Sequence, residues 1–111
     1  MYKNVSAAIA ALLVSGAAHA GDWKQDHPRR AEVNSRLNNQ NRRIHEGVED
    51  GKLTKGQAKQ LHQEDHAIRQ QERAMAAQHG GHITKPEQRQ LNQEENQVSR
   101  QIYDEKHPAA K

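Results

Sequence analysis

The phrase Gly51-Lys52-Leu53-Thr54 recurs thirty positions later as Gly81-His82-Ile83-Thr84, and a polar helical stretch with the same offsets follows each copy. From Leu53 the chain reaches Gln57, Leu61 and Ile68; from Ile83 it reaches Glu87, Leu91 and Val98 at identical spacing. A repeat of one helix and one turn cannot bury its apolar side alone, so copies must pack on one another. Leu37 and Ile44, seven positions apart, read as a third copy that lacks the leading turn. The repeat predicts an all-α fold, a three-helix array or antiparallel helical bundle with no strands, because no stretch alternates apolar and polar residues with β-branched enrichment.

Helices are expected at about 28–48, 55–78 and 85–106. Val33, Leu37, Ile44 and Val48 mark one face of the first, Leu61, Ile68 and Met75 of the second, and Leu91, Val98 and Ile102 of the third. Thr54 with Gln57, and Thr84 with Glu87, each match the Ser/Thr-x-x-Glu/Gln capping box, which satisfies two otherwise unpaired backbone donors at a helix start. Asp26 is the expected cap of the first helix. Gly51 and the pair Gly80-Gly81 offer the left-handed backbone that ends a helix. The aliphatic stripe is narrow, with no Phe in the chain and 32% hydrophobic residues. Self-association or a protein partner would bury it more fully.

Residues 1–20 read as a secretory signal peptide: Lys3, an apolar run from Val5 to Val14, and a small-x-small site at Ala18-His19-Ala20. The run is too short for a retained membrane span. Residues 21–111 then form a single helical domain, periplasmic or secreted after cleavage near Ala20. The absence of Cys leaves no disulfide for an oxidising compartment. With 17 Lys and Arg against 14 Asp and Glu, charge is near balance. Only Arg29-Arg30 and Arg42-Arg43 are paired basics, so the footprint for a nucleic-acid backbone is missing. No nucleophile sits in a Gly-rich elbow and no phosphate cradle occurs, so the chain does not read as an enzyme. Trp23 and Tyr103 read as packing or interface anchors.

Within the repeats, Leu37 and Ile44 bracket Asn41, Leu61 and Ile68 bracket Asp65, and Leu91 and Val98 bracket Glu95. Offsets of four and three share a helix face, so each helix is expected to turn one oxygen-bearing group inward. Buried carboxylates need a counter-charge: a divalent cation, or an arginine such as Arg43, Arg69 or Arg100. His62 and His66, four apart, place two imidazoles on one helical face beside Asp65, and His45 follows Ile44. Imidazole with carboxylate suits Zn²⁺ or Mn²⁺. The candidate ligands are therefore His62, Asp65, His66 and Glu95, with His45 as a fifth. A calcium-hand reading of the first turn fails, because Val48 and Gln57 fall where that loop needs acids.

The phrases Arg36-Leu37-Asn38-Asn39-Gln40-Asn41-Arg42-Arg43-Ile44, Gly51-Lys52-Leu53-Thr54, Gly81-His82-Ile83-Thr84 and the ending Gln101-Ile102-Tyr103-Asp104-Glu105-Lys106-His107 resemble a group of small exported proteobacterial helical proteins. That resemblance implies export and a helical fold; a looser one, to secreted manganese- or zinc-scavenging proteins, implies a divalent metal ion as ligand. Two readings follow. One is a small periplasmic or secreted protein that binds, or scavenges, a divalent metal ion. The other is a non-catalytic structural or chaperone-like module that docks on a protein partner through Leu61, Ile68 and Val98.

Overall fold

The computed structural model describes residues 22–108, so the expected signal peptide at 1–20 lies outside the described residues. Three helices follow one another, α1 (Pro28–Glu49), α2 (Lys55–Gln78) and α3 (Lys85–Lys106), and each packs on both others. Short turns make α2 antiparallel to its neighbours. The result is a closed three-helix bundle, and no strand occurs among the described residues.

Both capping boxes form as the sequence predicts. The Thr54 hydroxyl accepts the Gln57 N–H at 3.0 Å while the Gln57 side chain accepts the Thr54 N–H at 2.9 Å. Thr84 and Glu87 repeat the exchange at 3.2 and 2.9 Å. Gly51, Gly80 and Gly81 take φ of 73°, 65° and 96°, the left-handed region that stops a helix without Cβ strain. The first helix starts differently from expectation. His27, not Asp26, is its N-cap, without a side-chain capping bond. Residues 22–26 are themselves helical, so Asp26 lies inside the preceding turn. That turn is held by aromatic stacking: Trp23 on His27 at 4.6 Å, and His27 on His82 of the α2–α3 turn at 4.5 Å.

The aliphatic stripe is consumed within one chain. Val33, Leu37 and Ile44 from α1, Leu61 and Ile68 from α2, and Leu91, Val98 and Ile102 from α3 are all buried in a single cluster. The turn residues Leu53 and Ile83 close its two ends. Leu53 sits directly on Gly47, where an added Cβ would lie 2.6 Å from the leucine Cδ1, so α1 needs a residue without a side chain there. Among the described residues Tyr103, 58% exposed, is the large apolar side chain left outside, and its ring stacks on His107. Three narrow stripes facing one axis therefore suffice for burial in a single copy.

Candidate functional site

Halfway along the bundle the aliphatic layers give way to polar ones. Asp65 of α2 is 2% exposed and Glu95 of α3 is fully enclosed, as the repeat predicts. The α1 member differs. Gln40, 3% exposed, faces inward, and its amide donates to the Glu95 backbone carbonyl at 2.6 Å. Asn41 is half-buried at the edge, where its side-chain oxygen accepts the His62 Nδ1–H at 3.1 Å. The reason is phase. Inward positions on α1 run Val33, Leu37, Gln40, Ile44, so the polar position follows Leu37 by three residues, whereas Asp65 and Glu95 follow their leucines by four.

All four carboxylate oxygens of Asp65 and Glu95 lack a hydrogen-bond partner. Desolvation is the largest influence on both acids, since a charge enclosed by aliphatics loses its water. It pushes Asp65 up to about 7, with Glu64 adding to the effect and Arg69 and Arg43 opposing it. Glu95 is pushed up to about 8 by the same loss of water, opposed by Arg36 and reinforced by Glu32 and Asp65. The Arg36 Nε stands 3.5 Å from Glu95. Arg36, from α1, is thus the counter-ion of Glu95, while the expected Arg69 and Arg43 act on Asp65 without a direct ion pair. Arg43 instead donates to Ser99, and Arg69 to Asn34 and Asn38.

Asp65 also lines an open groove of about 670 Å³ between α1 and α2, together with Asn41, His62, His66, Lys59 and Arg69. His62 and His66 are exposed along its wall. Because Asn41 takes the Nδ1–H of His62, the Nε2 lone pair of that ring is left outward and available. The Nε2 of His66 accepts from the Gln70 amide at 3.1 Å. Three of the expected ligands, His62, Asp65 and His66, therefore share one groove. The other two do not. Glu95 lies against Arg36, and His45 points to solvent beside Glu49 at 3.4 Å. Among the described residues no three His, Asp or Glu side chains already stand in ligand geometry.

Sequence reasoning missed Glu72, which is buried on α2 and paired with Arg30. Its signal was available, because Glu72 follows Ile68 by four just as Asp65 follows Leu61. Asn41 as the residue that orients His62 was not legible, since it depends on the α1 phase. No family model, curated protein or solved structure matches the chain, so no residue role is carried over from a relative. No helix among the described residues is long and apolar enough to cross a membrane.

Proposed function

We propose that this protein is a small exported helical protein that binds a divalent metal ion in the α1–α2 groove, with Asp65 and the Nε2 of His62 as primary ligands and His66 as the third. The observation that carries the reading is Asp65, a buried carboxylate with neither oxygen satisfied, in the same groove as two imidazoles. Asn41 fixes the tautomer and direction of His62, the role an outer hydrogen-bond partner plays for a metal-ligating histidine. Binding displaces the Gln70 amide from the Nε2 of His66, and a change of side-chain rotamer turns that ring toward the ion. Lys59 and Arg69 line the same groove and repel cations. A metal that gains strongly from nitrogen ligands overcomes this better than one that does not, so Zn²⁺ is favoured over Mn²⁺.

The rival reading, docking on a protein through Leu61, Ile68 and Val98, requires side chains that are enclosed in the chain's own core. It would demand that the bundle open. Calorimetry on chelator-stripped protein comprising residues 21–111 tests the metal reading. Zn²⁺ should bind at micromolar concentration or tighter, and the His62→Ala, His66→Ala double variant should lose at least tenfold. Heat identical to a buffer blank, or full binding by the double variant, would remove the proposal. Export is tested separately by N-terminal sequencing of the protein recovered outside the cytoplasm, with Gly21 the expected first residue.

A further inference from the structure

A second recess, of about 280 Å³, opens between α1 and α3, on a different side of the bundle from the cation groove. Ser35, Arg36, Asn39, Gln40, Arg43 and Ser99 line it; Arg36 is shared with Glu95 at 3.5 Å, Glu32 at 4.0 Å and the Asn96 side-chain oxygen, whereas Arg43 has no carboxylate partner. Arg36 and Arg43 are seven residues apart on α1, two turns along one face, and both belong to this lining. Arg43 is held from behind. It donates to the Ser99 hydroxyl at 2.8 Å and to the Ser99 carbonyl at 3.4 Å, and no carboxylate pairs with it. Ser99 accepts that bond, so its own hydroxyl proton remains free to donate into the recess.

Gln40 forms the enclosed part of this lining, at 3% exposure. Its amide nitrogen is committed to the Glu95 carbonyl, which only an N–H can satisfy, so the end left over is the oxygen. That oxygen has no partner. The recess thus presents the Arg43 guanidinium, two hydroxyls and the Asn39 amide, with the shared Arg36 beside them, and the enclosed Gln40 oxygen lies behind this lining as an acceptor that needs a proton. A fully deprotonated oxyanion would meet the Gln40 oxygen lone pair to lone pair. An oxyanion that keeps one O–H satisfies every group at once.

We propose that this recess binds inorganic phosphate as its hydrogen-phosphate form, with Arg36, Arg43, Ser99, Ser35 and Asn39 donating to its oxygens and its remaining O–H donating to the Gln40 side-chain oxygen. Guanidinium forks match phosphate oxygens in geometry and charge. The buried acceptor supplies selectivity, because sulfate has nearly the same size and charge but carries no proton at neutral pH, and a buried acceptor left unmatched is costly. The inference is independent of the cation reading and concerns different residues.

Calorimetry with potassium phosphate and potassium sulfate, at equal ionic strength and without divalent metal, decides it. Phosphate should bind at least tenfold more tightly than sulfate. Arg43→Gln, a substitution at a half-buried edge position, should weaken both anions tenfold or more. Gln40→Leu, which suits an inward helix position, should reduce the phosphate-to-sulfate ratio to near one. No phosphate binding up to about 10 mM, far below the affinity of a matched Arg-lined site, would overturn the proposal. Equal affinity for the two anions in the unsubstituted protein, or undiminished binding by Arg43→Gln, would do the same.

Discussion

Replacing Asp65 with Asn and Glu95 with Gln should stabilise the protein in alkaline solution and leave it unchanged in acid. In the folded state Asp65 is pushed up to about 7 and Glu95 to about 8, from ordinary values of 3.8 and 4.5. Between the ordinary and folded values the folded chain holds more protons than the unfolded chain. Stability therefore falls as pH climbs from about 4 to about 8, and is level above that. Gaps of about 3 to 3.5 pH units, at ~1.4 kcal/mol each, set an upper bound of about 5 kcal/mol per acid. Water penetration and adjustment of Arg36 and Arg69 reduce that, and about 2 kcal/mol per acid is the working figure. The pair is then worth about 4 kcal/mol, a large share of the ~5–15 kcal/mol that holds a domain together. Thermal melts followed by helical circular dichroism should show the double variant melting at least ~15 °C above the parent at pH ~9 and within a few degrees of it at pH ~5. If that difference is the same at both pH values, the carboxyls are not held neutral by burial and the reasoning fails.

Other consequences are smaller. Thr54→Ala and Thr84→Ala should each lower stability by ~1 kcal/mol in chemical denaturation, the usual worth of an N-cap. The backbone N–H of Thr84 is the main influence that holds Glu87 below its ordinary value. The Glu87 contribution is therefore present above that value and fades as pH falls through the folded one, and an NMR titration of Thr84→Ala, which keeps the backbone N–H and removes only the smaller hydroxyl contribution, should show Glu87 still below its ordinary value. Gly47→Ala gains ~1 kcal/mol of helix preference but drives a methyl into Leu53, an overpacking cost of ~1–3 kcal/mol. Net destabilisation of ~1 kcal/mol is expected, and combining it with Leu53→Ala should cost less than the sum of the two. Arg30→Met strands the Glu72 carboxylate in the core and should cost ~3 kcal/mol or more, with most of it recovered when Glu72→Leu is added.

Helix limits and turns were legible because the information is local. Thr54, Gln57, Thr84, Glu87 and the glycines each act within a few residues of their own position. Of the inward acids, Asp65 and Glu95 were legible because Leu61-to-Asp65 and Leu91-to-Glu95 carry the same offset after a well-marked turn. The α1 phase was not. Leu37 and Ile44 are seven apart, a spacing compatible with a polar residue three or four positions in, and no Gly-x-Leu-Thr turn precedes them to anchor the count. Burial matches Val33, Leu37, Gln40 and Ile44 with Leu61, Asp65, Ile68 and Glu72, so the third copy is displaced by four residues from the overlay that aligned Leu37 with Leu61. Arginine partners were illegible for another reason. The side chain is long and reaches neighbouring helices at several levels, so spacing along one helix does not select between Arg36, Arg43 and Arg69. The closeness of Gly47 to Leu53 is likewise a property of the closed bundle.

Charge is divided unevenly among the helices, and that division bears on why one arrangement is chosen. The inward acids Asp65, Glu72 and Glu95 belong to α2 and α3, whereas the arginines ion-paired with Glu72 and Glu95, Arg30 and Arg36, come from α1, and Arg69 of α2 acts on Asp65 from its own helix. Since α2 and α3 carry nearly the same repeat, aliphatic matching alone would let either of them, from the same or another chain, take the place of α1. Doing so would bring acids together with no guanidinium to face them, a like-charge cost that α1 avoids by offering Gln40 and its arginines. On this hypothesis the inward acids weaken the core and select its partner helix at the same time. The Asp65→Asn, Glu95→Gln variant separates the two effects, because it should melt higher while losing discrimination between helices. Sedimentation at increasing concentration should then reveal association absent from the parent; a variant that stays monomeric with sharp amide resonances would show that aliphatic packing and the turns suffice to choose the fold.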